Sequence, residues 1–224
     1  MKYERITSGV FLSRPNRFTA LVKINGEVQT CHVKNTGRCK ELLVNGAHVI
    51  LQENSAPHRK TKYDLISVYK GDMLVNMDSQ IPNRVFGEYL PRMFKDITLI
   101  RPETVYGSSR LDFYIEADGR RIFAEVKGVT LEERGRALFP DAPTQRGIKH
   151  IRELMHAKEE GFDAYIVFII QMPGIKSFSP NDKTHPQFGQ VLRLARDAGV
   201  EIIALCCNVT EDEITPDNMV NIIL

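Results

Sequence analysis

The sequence predicts a small closed β barrel over residues 1–81, followed by an α/β domain with a mixed central sheet over residues 82–224. Three observations carry this reading. Short strand-like runs in the first part are punctuated by Asn25-Gly26, a signal for a two-residue type I′ hairpin turn. The second part holds two uninterrupted apolar runs, Tyr165–Ile170 and Val200–Leu205, separated by a helical pattern. That is the signature of buried parallel strands joined by a right-handed crossover. Ahead of those runs the second part holds another hairpin, Arg110–Lys127, centred on Asp118-Gly119.

Taken in order, strands are expected at Tyr3–Phe11, Arg17–Ile24, Glu27–Val33, Ala47–Glu53, Lys62–Tyr69 and Met73–Asn76, with a brief helix over Thr36–Leu43. About five strands with a helix inserted after the third match a barrel of OB type. A boundary falls at Ile81-Pro82, where Asn83 can cap a short helix that runs to Leu90 and is limited by Pro91. A strand near Ile97–Arg101, the Asp-Gly hairpin and a polar loop over Leu131–Pro143 come next. Thr144 can cap a helix whose apolar stripe is Ile148, Ile151, Leu154 and Met155 and which Gly161 ends. A last helix spans Pro186–Ala198, with proline at its start and Gly199 after its end.

The chain has 224 residues, 42% hydrophobic and 26% charged, with a net charge of +2. This is ordinary globular composition, and the balance by itself does not point to nucleic acid. No apolar run approaches the roughly 20 residues of a membrane span, and the Met-Lys-Tyr-Glu-Arg start does not read as a signal peptide. The four cysteines form no Cys-x-x-Cys pair and read as free thiols of a cytoplasmic protein. Cys31, His32, Cys39 and His48 could together be weighed as a zinc set, although their spacing does not match common sites. The basic residues cluster at Arg14 and Arg17, at Arg38 and Lys40, at His58-Arg59-Lys60 with Lys62, and at Arg146, Lys149, His150 and Arg152. Such clusters are either solvated faces or phosphate contacts.

The hairpin carries the chemistry. With a type I′ turn at Asp118-Gly119, Ala117 pairs with Arg120, Ile115 with Ile122 and Phe113 with Ala124. Asp112 then falls opposite Glu125, on one face with Lys127, while Leu111, Phe113, Ile115, Ile122, Ala124 and Val126 take the other. Two facing carboxylates repel unless a proton or a cation lies between them. An acid on one strand and Glu-x-Lys on the next suits phosphodiester hydrolysis: carboxylates bind a hard cation such as Mg²⁺ or Mn²⁺, and the lysine orients water or stabilises developing charge. A third acid is expected from the preceding helix at Glu88, with Glu103 as its competitor.

These residues resemble the PD-(D/E)xK nuclease superfamily, and within it the sugar fermentation stimulation protein family. The closer resemblance rests on Asn35-Thr-Gly-Arg38, Leu42-Leu-Val-Asn-Gly46, Asn83-Arg84, Ser109-Arg-Leu-Asp-Phe113, Glu125-Val-Lys127, Ala137-Leu-Phe-Pro-Asp-Ala-Pro-Thr144, Arg146-Gly, Lys149-His150 and Ser179-Pro-Asn-Asp182. It implies an N-terminal OB domain, a nuclease-like C-terminal domain, DNA as partner and a regulatory link to sugar (maltose) catabolism. Carried over to this chain, it implies catalytic Asp112, Glu125 and Lys127, metal-binding Asp112, Glu125 and Glu88, and nucleic-acid contacts at Arg38, Arg14, Arg17, Arg110, Arg146, Lys149 and His150. Leu111 replaces the usual proline of the motif, and His185 stands before Pro186 where the family pattern has an acid. Three functions compete: a metal-dependent nuclease, a non-catalytic DNA-binding regulator on a nuclease scaffold, and a barrel that binds a carbohydrate or protein.

Overall fold

The computed structural model describes residues 1–35, 37–54 and 59–224. A closed barrel is formed by β1 (Ile6–Asn16), β2 (Thr19–Ile24), β3 (Glu27–Val33), β4 (His48–Glu53) and β5 (Tyr63–Lys70), with β6 (Met73–Asn76) added to β5. β1 pairs antiparallel with both β2 and β4, and a parallel pairing of β3 with β5 closes the ring. Asn25 and Gly26 have φ of 49° and 89°, the left-handed pair that a type I′ turn requires. The brief helix expected after β3 is a single turn in which the Leu42 and Leu43 N–H groups donate to the Cys39 carbonyl. Cys39 itself has φ 44°, so no right-handed helix extends back through it. Thr36, at the start of that expected helix, and His58, in one basic cluster, lie outside the described residues.

The second part begins with α1 (Pro82–Met93) and continues through β7 (Ile97–Tyr106), β8 (Ser109–Ala117) and β9 (Arg120–Val129). The short β10 (Leu131–Glu133) and β11 (Arg136–Phe139) precede α2 (Gln145–Glu159), β12 (Asp163–Ile170), β13 (Ser177–Pro180) and α3 (Pro186–Asp197). β14 (Glu201–Val209), β15 (Ile214–Met219) and β16 (Asn221–Ile222) complete the chain. The main sheet has the order β15-β14-β12-β9-β8-β7. β9, β12 and β14 are mutually parallel, joined through α2 and α3, and the outer strands are antiparallel. The Asp-Gly hairpin is therefore interior, with β7 at the edge. Residues 131–143, expected to form a polar loop, instead supply β10 and β11 to a second sheet, β10-β11-β13-β16. Arg134 and Gly135 have φ of 53° and 79°, a further tight turn that the polar composition concealed.

α1 also departs from expectation. It starts with Pro82 at its first position, and Pro91 sits inside its last turn, where few intrahelical bonds remain to be lost. Thr144 caps α2 as expected, its hydroxyl accepting from the Gly147 N–H at 3.0 Å. Both faces of the main sheet are covered, which explains the unbroken apolar runs in β12 and β14. On one face Val85, Phe86 and Leu90 of α1 meet Phe113, Ile115, Ala124, Val126 and Val167. On the other, Ile151 and Leu154 of α2 and Phe188 and Leu192 of α3 meet Phe123, Ile166 and Phe168.

A buried polar contact docks the barrel on the main sheet. The Gln171 side-chain amide donates to Asn76 Oδ1 and to the Asp78 carbonyl, both at 3.0 Å. In return the Asn76 N–H donates to the Gln171 carbonyl at 2.9 Å. Gly128 lets this amide approach: a Cβ there would lie 2.4 Å from Gln171 Oε1 and 2.8 Å from Pro82.

Asp118 and Gly119 have φ of 52° and 73°, and the pairs Ala117–Arg120, Ile115–Ile122 and Phe113–Ala124 form as the turn dictates. Gly119→Val places a β-branched residue in a left-handed conformation and should lower unfolding free energy by about 1–2 kcal/mol in urea titrations. Gly119→Asn, which tolerates that conformation, should cost less.

Candidate metal centre and nucleic-acid interface

The ladder between β8 and β9 stops at Phe113–Ala124, and the site begins where it stops. One residue further, the Asp112 carboxylate takes the place of a ladder partner: Oδ2 accepts from the Val126 N–H at 2.8 Å and Oδ1 from Asn83 Nδ2 at 3.0 Å. A buried N–H needs an acceptor, and the side chain supplies it as the strands part. The parting corrects the expected face pattern. Leu111 packs with the α2 side of the sheet, whereas Phe113, two residues on, packs with the α1 side. Asp112 lies at this crossover.

Glu125 is 2% exposed. Its Oε1 is held by both Lys127 Nζ and His150 Nδ1, and its Oε2 has no hydrogen-bond partner. His150, on α2 and 4% exposed, accepts at Nε2 from Arg146 Nε at 3.4 Å. This arrangement suits the tautomer with its proton on Nδ1, directed at Glu125. A cleft of about 400 Å³ opens above these groups, lined by Asn83 of α1, Glu103 of β7, Asp112, Glu125, Lys127 and Arg146.

The two acids are driven apart. Burial, then the charge of Glu125, pushes the Asp112 carboxyl above the usual range, against the pull of the Val126 N–H, Lys127 and Asn83. Burial also opposes ionisation of Glu125, but the His150 hydrogen bond and the Lys127 charge outweigh it and hold that carboxyl below the usual range. They form a coupled pair in which one member holds its charge and the other resists it.

Of the expected site residues, Asp112, Glu125 and Lys127 are brought together, and Arg146 joins them at the rim. Glu88 is not: its carboxylate pairs with the Met1 amine at 3.0 Å. The acid that lines the cleft is Glu103, the competitor. It lies between the paired positions Pro102–Phe113 and Thr104–Leu111, hence across from Asp112, and has φ 52° within a strand, a conformation that costs energy outside glycine. The Tyr106–Ser109 pair around Gly107-Ser108 was the sequence signal for this register. His150 was expected to contact nucleic acid, but it is buried and holds Glu125. Its position on the Gly147–Ile151–Leu154 stripe marked it as buried. Asn83 does not cap α1; it serves Asp112.

Arg14 is also engaged internally: its guanidinium donates to the carbonyls of Gly37, Arg38, Arg17 and Asn35 at 2.6–3.0 Å. It ties Asn35, Gly37 and Arg38 to β1, and the Arg38 N–H donates to Asp141 Oδ2 at 3.1 Å. The Arg38 side chain is exposed, as are Arg110 and Arg17, the latter over the Phe18 ring at 5.7 Å. Lys149 donates to the Ser108 carbonyl at 2.6 Å. The zinc set does not converge: His32 faces Asp64 and His48 stacks on Tyr69. All four cysteines are free and buried. Among the described residues no helix is long and apolar enough to cross a membrane.

The donor set fits a hard divalent cation, because Glu125 Oε2 is a buried carboxylate oxygen without a partner, beside a second carboxylate. Among the described residues, no three His, Cys, Asp or Glu side chains are already gathered as a metal site. Asp112 and Glu125 would therefore share the ion with water.

Residues 80–213 match the model of the sugar fermentation stimulation protein RE domain, and residues 12–77 match the SfsA N-terminal OB domain. A sugar fermentation stimulation protein homolog of Desulfitobacterium hafniense is 58% identical, covering 99% of this chain and 98% of its own. One from Clostridium beijerinckii is 53% identical over the whole of both chains. Among solved structures, Pyrococcus furiosus SfsA in complex with Ca²⁺ superposes with a TM-score of 0.90 at 30% identity, covering 100% of this chain and 98% of the other.

Removing His150 leaves a buried carboxylate with one partner fewer. His150→Ala should destabilise the fold by about 3 kcal/mol in urea unfolding at neutral pH. Because Asp112 has a raised folded pKa, its ionisation costs stability at high pH, and that cost disappears below its unfolded pKa. In chelator, Asp112→Asn should therefore be more stable than the wild type at neutral pH, with the gap closing as pH falls into the ordinary carboxylate range.

Proposed function

The chain belongs to the sugar fermentation stimulation protein family, and from that premise we propose that it binds DNA and hydrolyses phosphodiester bonds at a divalent-metal site formed by Asp112 and Glu125. The observation that carries this reading is two acids that line one cleft with Lys127, one of them with an unpartnered buried oxygen. Mg²⁺ or Mn²⁺ is the cation of choice, given the all-oxygen donors and the space left for water; the Pyrococcus furiosus relative was solved with Ca²⁺. When bound, the ion supplies charge that polarises the phosphate and acidifies water. The protein's own groups do the positioning. Asn83 and the Val126 N–H orient Asp112, and His150 orients Glu125. Lys127 presents its ammonium to the cleft and would stabilise charge on the scissile phosphate. Arg146 at the rim, with the exposed Arg38 and Arg17 on the barrel, would hold flanking phosphates.

A second reading has its own observation. Lys127 and His150 both hold Glu125, so the acid is satisfied without a cation. That favours a DNA-binding regulator, in keeping with the family's name for sugar fermentation, on a nuclease scaffold.

Supercoiled, nicked and single-stranded DNA incubated with Mg²⁺ or Mn²⁺ separate the two. On the nuclease reading, Asp112→Ala and Lys127→Ala each slow cleavage by at least about 100-fold. If nothing is cut, or if cutting survives both substitutions, the hydrolytic reading falls. The regulator reading then requires DNA binding that persists in chelator and weakens in Arg38→Ala.

A further inference from the structure

We propose that a second cavity, on the small β10-β11-β13 sheet, binds a phosphate-bearing ligand. The cavity measures about 840 Å³, within the range that holds a small-molecule ligand. It shares no lining residue with the cleft above Asp112 and Glu125, so the two sites are distinct.

Its floor contains Ser179, a residue 8% exposed whose Oγ is buried and has no hydrogen-bond partner. A buried hydroxyl without a partner costs free energy, and Ser179 is one of the residues that line the cavity. Its rim carries Arg134, Arg136 and Lys183, all exposed and with no side-chain partner among the described residues. The rim's acids are largely committed elsewhere. Glu132 is held by Lys70 of the barrel and by the Gly135 N–H, and Asp182 by Arg193. Glu133 alone remains against three cations. Guanidinium forks and an ammonium around a hydroxyl donor are the chemistry that recognises a phosphate group.

The cations are presented on a fixed frame. Glu132 accepts from Gly135 across the tight Arg134-Gly135 turn, and the Lys70 ammonium also donates to the Glu132 carbonyl at 2.8 Å. β11 pairs with β13 from Arg136–Ser177 to Phe139–Pro180, which puts Arg136 and Ser179 on neighbouring strands. The Ser179-Pro-Asn-Asp182 motif thereby gains a role that the metal site does not give it. The occupant is either a free phosphorylated small molecule or a backbone phosphate of bound nucleic acid, which share this chemistry.

Calorimetry of the full chain in chelator, titrated with inorganic pyrophosphate at low salt, tests the site. Wild type and Asp112→Ala should bind alike, which separates this site from the metal centre and from the nuclease reading. Arg136→Ala and Lys183→Ala, both surface changes, should each bind about tenfold more weakly or less, and Ser179→Val should also weaken binding. No pyrophosphate binding, or binding indifferent to all three substitutions, overturns the proposal. DNA affinity measured against salt in the same variants identifies the source. A weaker affinity with a shallower salt slope assigns a backbone phosphate; unchanged DNA binding with lost pyrophosphate binding assigns a free phosphorylated ligand.

Discussion

The register of the β8–β9 hairpin is the constraint on which the site depends. Side chains alternate across a strand, so a one-residue slip would carry Glu125 and Lys127 from the α2 side to the α1 side. Two residues in left-handed conformations, Asp118 and Gly119, set that register. The ladder then runs only as far as Phe113–Ala124 before the strands part. That short ladder is what frees Val126 to donate to Asp112 and brings the acid between the two strands rather than out to solvent. A tight turn at one end and an opening at the other are thus two halves of a single device.

The second constraint is electrostatic. A carboxylate as enclosed as Glu125 requires partners, and it draws them from two sources: Lys127 along its own strand and His150 from α2. The helix therefore has to dock with His150 inward, and the Thr144 cap sets where its first turn begins. Asp112 receives neutral donors only, from a backbone N–H and from Asn83. Burial and the charge of Glu125 raise Asp112, whereas the His150 hydrogen bond and Lys127 lower Glu125, so the two acids shift in opposite directions.

Local signals made much of this legible in the sequence. The Asn25-Gly26 and Asp118-Gly119 turns, the Thr144 cap and the apolar β12 and β14 all rest on contacts within a few residues or on simple patterning, and each appears where expected. The misreadings share a different cause. His150 looked basic along the chain and proved to be buried against an acid 25 positions away. Arg14 looked free and is held by carbonyls of a loop that follows β3. Glu88 looked well placed on its helix, and the amine of Met1 claims it. In each case a long-range partner decided the role. The β10 and β11 strands were missed because they are only three and four residues long and are completed by β13, roughly 40 residues later in the chain.

On the proposed reading, the same geometry explains how a cation could enter without dismantling the site. Both groups that hold Glu125 use Oε1, leaving Oε2 as the oxygen available to an ion. Asp112 would have to ionise, against the burial that now raises its pKa. An adjacent divalent charge favours that ionised form. Metal uptake and proton loss from Asp112 would then be linked, so cation affinity would rise with pH through the range in which Asp112 titrates. Lys127 and His150 would remain on Glu125 throughout. The site thus keeps one carboxylate oxygen and one reluctant acid in reserve, and the reluctance of Asp112 is the physical quantity that a bound cation would relieve.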